Sequence, residues 1–226
     1  MARKIVALSL LASSASALVA PQAPAASSTA LRADAKALVP DGIQAPTGYF
    51  DPMGIADKVN DKTLLWFRAA EIKHGRVAMA AFLGCVVTGV GAHFPGAVDL
   101  DGTSFASLAD GDLFAAWDKM PADGKQQIVA AIGAIESVFE AQKPHYLQGG
   151  TPGKVRLTGT TAGVLESKYD AEKLASMRNS EIANGRLAML AMAAFVAAEV
   201  IPGSVPALTN LGFAGTYAGG LPFAPF

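Results

Sequence analysis

The sequence predicts an all-α membrane protein with three long transmembrane helices and short interfacial ones. The first and third long helices read as two copies of one unit. Three observations carry this reading. The stretch Glu71-Ile72-Lys73-His74-Gly75-Arg76-Val77-Ala78-Met79 returns near the C-terminus as Glu181-Ile182-Ala183-Asn184-Gly185-Arg186-Leu187-Ala188-Met189, and such self-similarity marks a repeated structural unit. Apolar residues make up 51% of the 226 positions and charged residues only 16%, with mean hydropathy above zero. That balance leans towards lipid. Apolar runs follow both copies of the motif and fill 126–141 between them.

The N-terminus reads as an address. Arg3 and Lys4 precede a short apolar run, and Ala15-Ser16-Ala17 is a small-residue cleavage site, so 1–17 reads as a signal peptide. The run is too short to span a bilayer. The stretch 18–32 is rich in Ala, Ser and Pro, carries Arg32 and holds no acid, like a transit segment. Secretion followed by a plain linker is the alternative. The remainder, 33–226, reads as one domain. A formal net charge of -1 gives no sign of a nucleic-acid partner. Cys85 stands alone among apolar neighbours, which excludes a disulfide framework and reads as a buried, inert thiol.

The mature chain begins loop-like over 33–63, with Pro40, Gly42, Pro46, Gly48, Pro52 and Gly54 as punctuation. Within it Tyr49-Phe50-Asp51-Pro52-Met53-Gly54 suits a membrane surface. The first long helix is expected over 62–90, capped by Asp61, with Gly89 and Gly91 at its far end. It is long enough to span only if its charged half also enters the membrane, which requires those charges to be paired. A loop follows over 93–112, then a short turn at 117–120 and a second helix over 126–141 behind Pro121 and Gly124. At 144–168 seven Gly and Pro residues mark a loop at the membrane edge. The third helix is expected over 170–201, stopped by Pro202-Gly203, with one short helix at 205–211.

Glu71 and His74 are three apart and share a helix face, as do Glu181 and Asn184. Each Arg follows its own Glu by five positions, about 140° around the helix. It is turned away from that Glu but can reach the Glu of a helix crossing its own. Two copies therefore allow reciprocal pairs, Glu71 with Arg186 and Glu181 with Arg76. Gly75, Ala78 and Gly84, with Gly185, Ala188 and Ala191, offer faces where two backbones approach closely. Three chemistries compete for the motif. A Glu-x-x-His pair serves di-iron bundles, but the second copy has Asn184 in place of His, and an Arg follows each copy. Magnesium in a tetrapyrrole ring needs one axial donor, from a His nitrogen, an amide oxygen or a carboxylate. The carboxylate can donate within lipid if an Arg cancels its charge. A plain ionic clamp between two helices is the third. On the middle helix Gln127 and Glu136 are nine apart, about 180° around the axis, so each would serve a separate ligand. Gln127 also fits a helix-end polar residue, whereas Glu136, inside an apolar run, demands a partner or a ligand. His93 and His145 fall in loops and receive no role.

The doubled motif resembles the two signature helices of the light-harvesting chlorophyll-binding proteins. Tyr49-Phe50-Asp51-Pro52-Met53-Gly54 resembles that family's Phe-Asp-Pro-Leu-Gly opening. Ala115-Ala116-Trp117, Pro121, Gly124 and Gln127, with Gly133 and Glu136, are similar to the middle helix of its chlorophyll a/c, fucoxanthin-chlorophyll-protein-like branch. A two-part leader agrees with algae that carry red-lineage secondary plastids. The resemblance spans most of 48–201. It implies three membrane-spanning helices, the first and third crossed about a pseudo-twofold axis along the membrane normal. It implies that Glu71, His74, Glu181 and Asn184 are axial ligands to chlorophyll magnesium, with Arg186 and Arg76 neutralising the glutamates, and that Gln127 and Glu136 ligate two more. The implied cofactors are chlorophyll a, chlorophyll c and a carotenoid (fucoxanthin, peridinin or a related xanthophyll) lying in the grooves of the crossing. The implied role is a thylakoid antenna apoprotein, not an enzyme, with thylakoid lipids, a core of photosystem I or photosystem II and neighbouring antenna subunits as partners. A homo- or hetero-oligomer is compatible with this. The alternatives are a photoprotective, energy-dissipating member and a Glu-x-x-His metal-dependent membrane enzyme. The chain departs from the family pattern in two places. Ala198 stands where many members have Gln, with Glu199 beside it but turned by about 100°, and no His follows His145.

Overall fold

The computed structural model describes residues 38–108, 114–154, 168–201 and 203–210. The expected leader at 1–17 and 18–32 lies outside these residues, as do 109–113, 155–167 and the tail from 211 onward. The described chain is helical: α1 (Ile55–Lys58), α2 (Asp61–Gly89), α3 (Phe105–Leu108), α4 (Ala115–Lys119), α5 (Ala122–Glu140), a 3-10 turn (Tyr146–Gln148), α6 (Ala171–Val200) and α7 (Pro206–Asn210). Among the described residues, extended pairing is limited to two isolated bridges, Gln44 with Gly48 and Ala97 with Ser104.

The three long helices match the expected ones, and their ends show local chemistry that hydropathy misses. Asn60, not Asp61, caps α2. Its backbone is extended, and its Oδ1 accepts from the Thr63 N–H at 2.8 Å and the Thr63 hydroxyl at 2.7 Å. That satisfies a free amide in the first turn, where Asp61 then places its charge beside the positive helix end. At the other end Gly91 takes φ 79°. Its N–H donates to Thr88 O and that of Ala92 to Val87 O, the paired closure that a left-handed residue after a helix permits. Helix α5 starts four residues before the expected position, because Pro121 precedes it and Gly124 falls in its tolerant first turn. The segment expected as loop before α2 contains α1, where Asp51 Oδ1 accepts from Ile55 N and Oδ2 from Ala56 N, at 3.0 and 2.9 Å. These amides hold the Asp51 carboxyl below its usual range. Helices α3 and α4 are likewise short additions within expected loops or turns, too brief to show apolar periodicity.

Helices α2 and α6 pack against each other and carry most of the core. Their buried residues at the crossing are mostly small: Ala69, Gly75 and Ala78 on α2, with Gly185 and Ala188 on α6 and the larger Ile182 beside them. A Cβ added to Gly75 or Gly185 would lie 3.0 Å from the other's Cα, so this is a backbone-to-backbone contact. Gly84, expected on the same close face, meets nothing within 4 Å. It lies nine residues after Gly75, about 180° around α2, and is exposed on the far face; on the packed side Phe195 meets Phe82, ring centroids 5.9 Å apart. Large apolar side chains point outward instead: Val77 is 70% exposed, Leu187 66% and Leu190 71%. This is the reverse of a water-soluble core. Among the described helices, α6 is long and apolar enough to cross a membrane. Lys73, His74 and Arg76 lower the hydropathy of α2, and Asp123, Lys125, Glu136 and Glu140 that of α5. Helix α5 has no buried residue.

Candidate functional site

The two reciprocal ion pairs form at the crossing. Arg76 Nε donates to Glu181 Oε1 at 2.6 Å, and Arg186 Nε to Glu71 Oε1 at 2.7 Å. Both glutamate side chains are about one-third exposed, 30% for Glu71 and 33% for Glu181; Glu181 is paired through one oxygen, whereas Glu71 is bonded through both, Oε1 by Arg186 and Oε2 by Arg68. Helix geometry explains the exchange. Glycine at the contact brings the axes close, which puts the Arg of one helix beside the Glu of the other.

Each arginine has a second anchor that sequence reasoning missed. Arg186 Nη1 donates to Gly42 O and Arg76 Nη2 to Gly153 O, both at 2.8 Å. The two loops are equivalent: each precedes one motif copy and crosses over the other. Both glycines hold positive φ, 84° at Gly42 and 78° at Gly153. A Cβ at Gly42 would sit 3.0 Å from Ile182 Cγ2, and one at Gly153 2.8 Å from Ile72 Cδ1. Ile72 and Ile182 are the second residues of their motif copies, so the repeat extends to the loops. The Gly42 N–H also donates to Asn179 Oδ1 at 2.7 Å. The one available signal was a glycine placed roughly thirty residues ahead of each motif glutamate. The copies differ at one cation. Arg68 Nη1 bonds Glu71 Oε2 within its own helix, whereas its counterpart Arg178 places Nε 3.4 Å from Asp41 Oδ2.

His74 and Asn184 are exposed on the outer faces beside this core. The His74 Nδ1–H donates to Ala70 O at 2.8 Å, which leaves Nε2 with a free lone pair directed away from the helix backbone. On α5 Gln127 is exposed and Glu136 half-buried, and Lys73 Nζ donates to Glu136 Oε2 at 2.6 Å. The partner that an acid in an apolar run requires is thus Lys73, whose place in the motif had suggested no role. Lys73 also reaches Glu140 Oε1 at 2.6 Å, and His145 Nε2 lies 3.0 Å from Glu140 Oε2. His145 therefore fastens the loop after α5 rather than standing free. Glu199 is 2% exposed, as is Ala198. Protein encloses both, so Glu199 is closed to a tetrapyrrole in the place of the missing Gln.

The donor set fits tetrapyrrole magnesium. It offers an imidazole nitrogen, an amide and charge-balanced carboxylates, one per ligand and surrounded by exposed apolar side chains. A di-iron centre needs several such groups converging. Among the described residues no three His, Cys, Asp or Glu side chains do so.

A family model described as chlorophyll A-B binding protein matches residues 35–200, a span that contains the whole crossing. The chain belongs to that family. Its relatives put it in the chlorophyll a/c branch. A fucoxanthin-chlorophyll a-c binding protein of Trieres chinensis is 35% identical over 204 residues, covering 90% of this chain and 97% of that one. Protein F of the same description from Phaeodactylum tricornutum is 35% identical over 158 residues, 70% and 77% of the two chains. Protein A from Macrocystis pyrifera is 34% identical over 159 residues, 70% of each. All three are described as chloroplastic, and the family is one of pigment-binding proteins rather than enzymes. In this chlorophyll-binding family member, both motif copies, the Gly42 and Gly153 loops and α5 all lie within the matched span.

Proposed function

We propose that this chain is a light-harvesting antenna apoprotein that binds chlorophyll a, chlorophyll c and a fucoxanthin-type carotenoid in the thylakoid membrane. It passes excitation to a photosystem directly or through neighbouring antenna subunits. The observation that carries the reading is the crossing itself: two carboxylates, each held by an arginine of the other copy, with His74 and Asn184 exposed beside them. Helices α2, α5 and α6 span the bilayer, and 1–17 and 18–32 deliver the chain to the plastid. Lys73, Arg76, Glu136 and Glu140, charges that lower the hydropathy of α2 and α5, find partners, which removes most of the cost of placing them in lipid.

Each residue has a definite task. Glu71 and Glu181 offer a carboxylate oxygen whose charge Arg186 and Arg76 balance, with Arg68 as a second cation beside Glu71. His74 offers Nε2, oriented by its bond to Ala70 O, and Asn184 and Gln127 offer amide oxygens. Glu136 completes the set on α5. The rigid crossing fixes the distances between these donors, and so excludes the random stacking of rings that would dissipate energy. Bound there, chlorophyll supplies the excited state that is transferred, and the carotenoid feeds that state and quenches triplets. The test is the pigment content of the protein purified in mild detergent. Chlorophyll a and c with carotenoid, in fixed ratio to polypeptide, is the expected result. A colourless, folded protein would overturn the reading.

A further inference from the structure

We propose that Lys73 is the counter-ion that lets Glu136 serve as an axial donor to a tetrapyrrole magnesium, as the arginines do for Glu71 and Glu181. The inference rests on the antenna reading above and assigns that function a residue it had left without one. Three observations carry it. Lys73 Nζ lies 2.6 Å from Glu136 Oε2. Oε1 of the same carboxylate takes part in none of the described hydrogen bonds, so the arrangement matches that of Glu181: one oxygen on a cation, the other open. Lys73, Glu136, Val77 and Phe139 also help line a cavity of about 310 Å³ bounded by α2, α5 and the 142–154 loop, a size within the usual range of ligand pockets. Glu136 therefore faces an open cavity whose walls mix apolar side chains with charged ones.

The third observation is an asymmetry of the repeat. At the third motif position the first copy has Lys73 and the second has Ala183. Lys73 is turned about 200° from Glu71 around α2, away from the crossing, and there it meets α5. Position 183 lies on the equivalent face of α6, where no described helix corresponds to α5. The cation is present only in the copy that faces a carboxylate-bearing third helix. Its second contact, Glu140 Oε1 at 2.6 Å, is itself shared with His145, so Glu140 retains a partner if Lys73 is lost, whereas Glu136 does not.

The test compares K73M, E136A, E140Q and the double variant K73M/E136Q with the unmodified chain, each assembled with chlorophyll a, chlorophyll c and carotenoid. Chlorophyll per polypeptide and helix content by circular dichroism are measured. K73M and E136A are expected to lose the same single chlorophyll, and E140Q to keep it. K73M/E136Q is expected to regain it, because an amide oxygen donates to magnesium without a counter-ion. A full chlorophyll complement in K73M would overturn the proposal. So would a double variant of normal helix content that still lacks the pigment, since Lys73 would then only dock α5. Should K73M fail to assemble, E136Q is compared with K73M/E136Q: equal chlorophyll supports the proposal and a loss overturns it. An unmodified chain that binds no chlorophyll refutes the antenna reading itself, an outcome separate from these.

Discussion

At the scale of single residues, the arginines serve two purposes at once. Arg186 holds the Glu71 carboxylate through Nε and the loop carbonyl of Gly42 through Nη1. Replacing it by Leu removes a charge and a loop anchor together. R186L should lose the chlorophyll on Glu71 and destabilise the fold by about 1 kcal/mol, the upper range for a part-exposed pair, since Glu71 keeps Arg68 as a partner. Pigment analysis and thermal unfolding check this, and normal values in both would refute the pairing. R186K is expected to be intermediate, since an ammonium cannot bond the carboxylate and the carbonyl with a planar fork. The pairs themselves were legible in the sequence, because Glu and Arg five apart cannot easily meet on one helix and the motif occurs twice. The carbonyl anchors were not. A loop carbonyl looks the same at every position, and only the folded chain brings Gly42 over α6 and Gly153 over α2.

At the scale of elements, glycine at the crossing sets the spacing of α2 and α6. Gly75 and Gly84 make a matched pair for experiment. A Cβ at Gly75 meets Gly185 Cα at 3.0 Å, whereas one at Gly84 meets nothing within 4 Å. G75A should therefore destabilise by about 1–3 kcal/mol through overpacking, while G84A should be neutral or gain up to about 1 kcal/mol from helix propensity. Thermal denaturation of the two pigmented variants decides. Equal effects would mean that the glycine contact does not limit the approach of the helices. Helix spacing puts these glycines on opposite faces, since nine residues are about 180° around the axis, but does not say which of the two faces the other copy. Helix ends behaved similarly. Asn60 and Asp61 are both competent caps, and the choice rests on which of them is held extended.

At the scale of the whole molecule, α5 is the weak member. None of its residues is buried, and Ile132, Ile135 and Val138 are 55%, 52% and 62% exposed. An apolar helix tethered mainly by Lys73 lacks the packing that holds α2 to α6, so lipid and pigment must supply the rest. Pigment-free chain in detergent should accordingly show lower helix content and a broader melt than the reconstituted protein, with the gain following pigment occupancy. A pigment-free protein as helical and as stable as the loaded one would refute this. The number and length of long helices were legible because each is an apolar run. That α5 would stand apart was not, because hydropathy does not distinguish a face covered by protein from one covered by other apolar matter.

The exchange of arginines has a consequence for how cations are shared between the two copies. Along the chain Glu181 follows its partner Arg76 by 105 residues, whereas Glu71 precedes Arg186 by 115. A carboxylate left alone in apolar surroundings is costly. Arg68, one turn before Glu71 and bonded to it within α2, meets that need: the earlier copy carries a second partner of its own. The later copy needs none, and its matching Arg178 is free to clasp Asp41 instead. The two halves, otherwise equivalent, thus differ in where the second cation goes: to the motif glutamate in the earlier copy and to a loop acid in the later one.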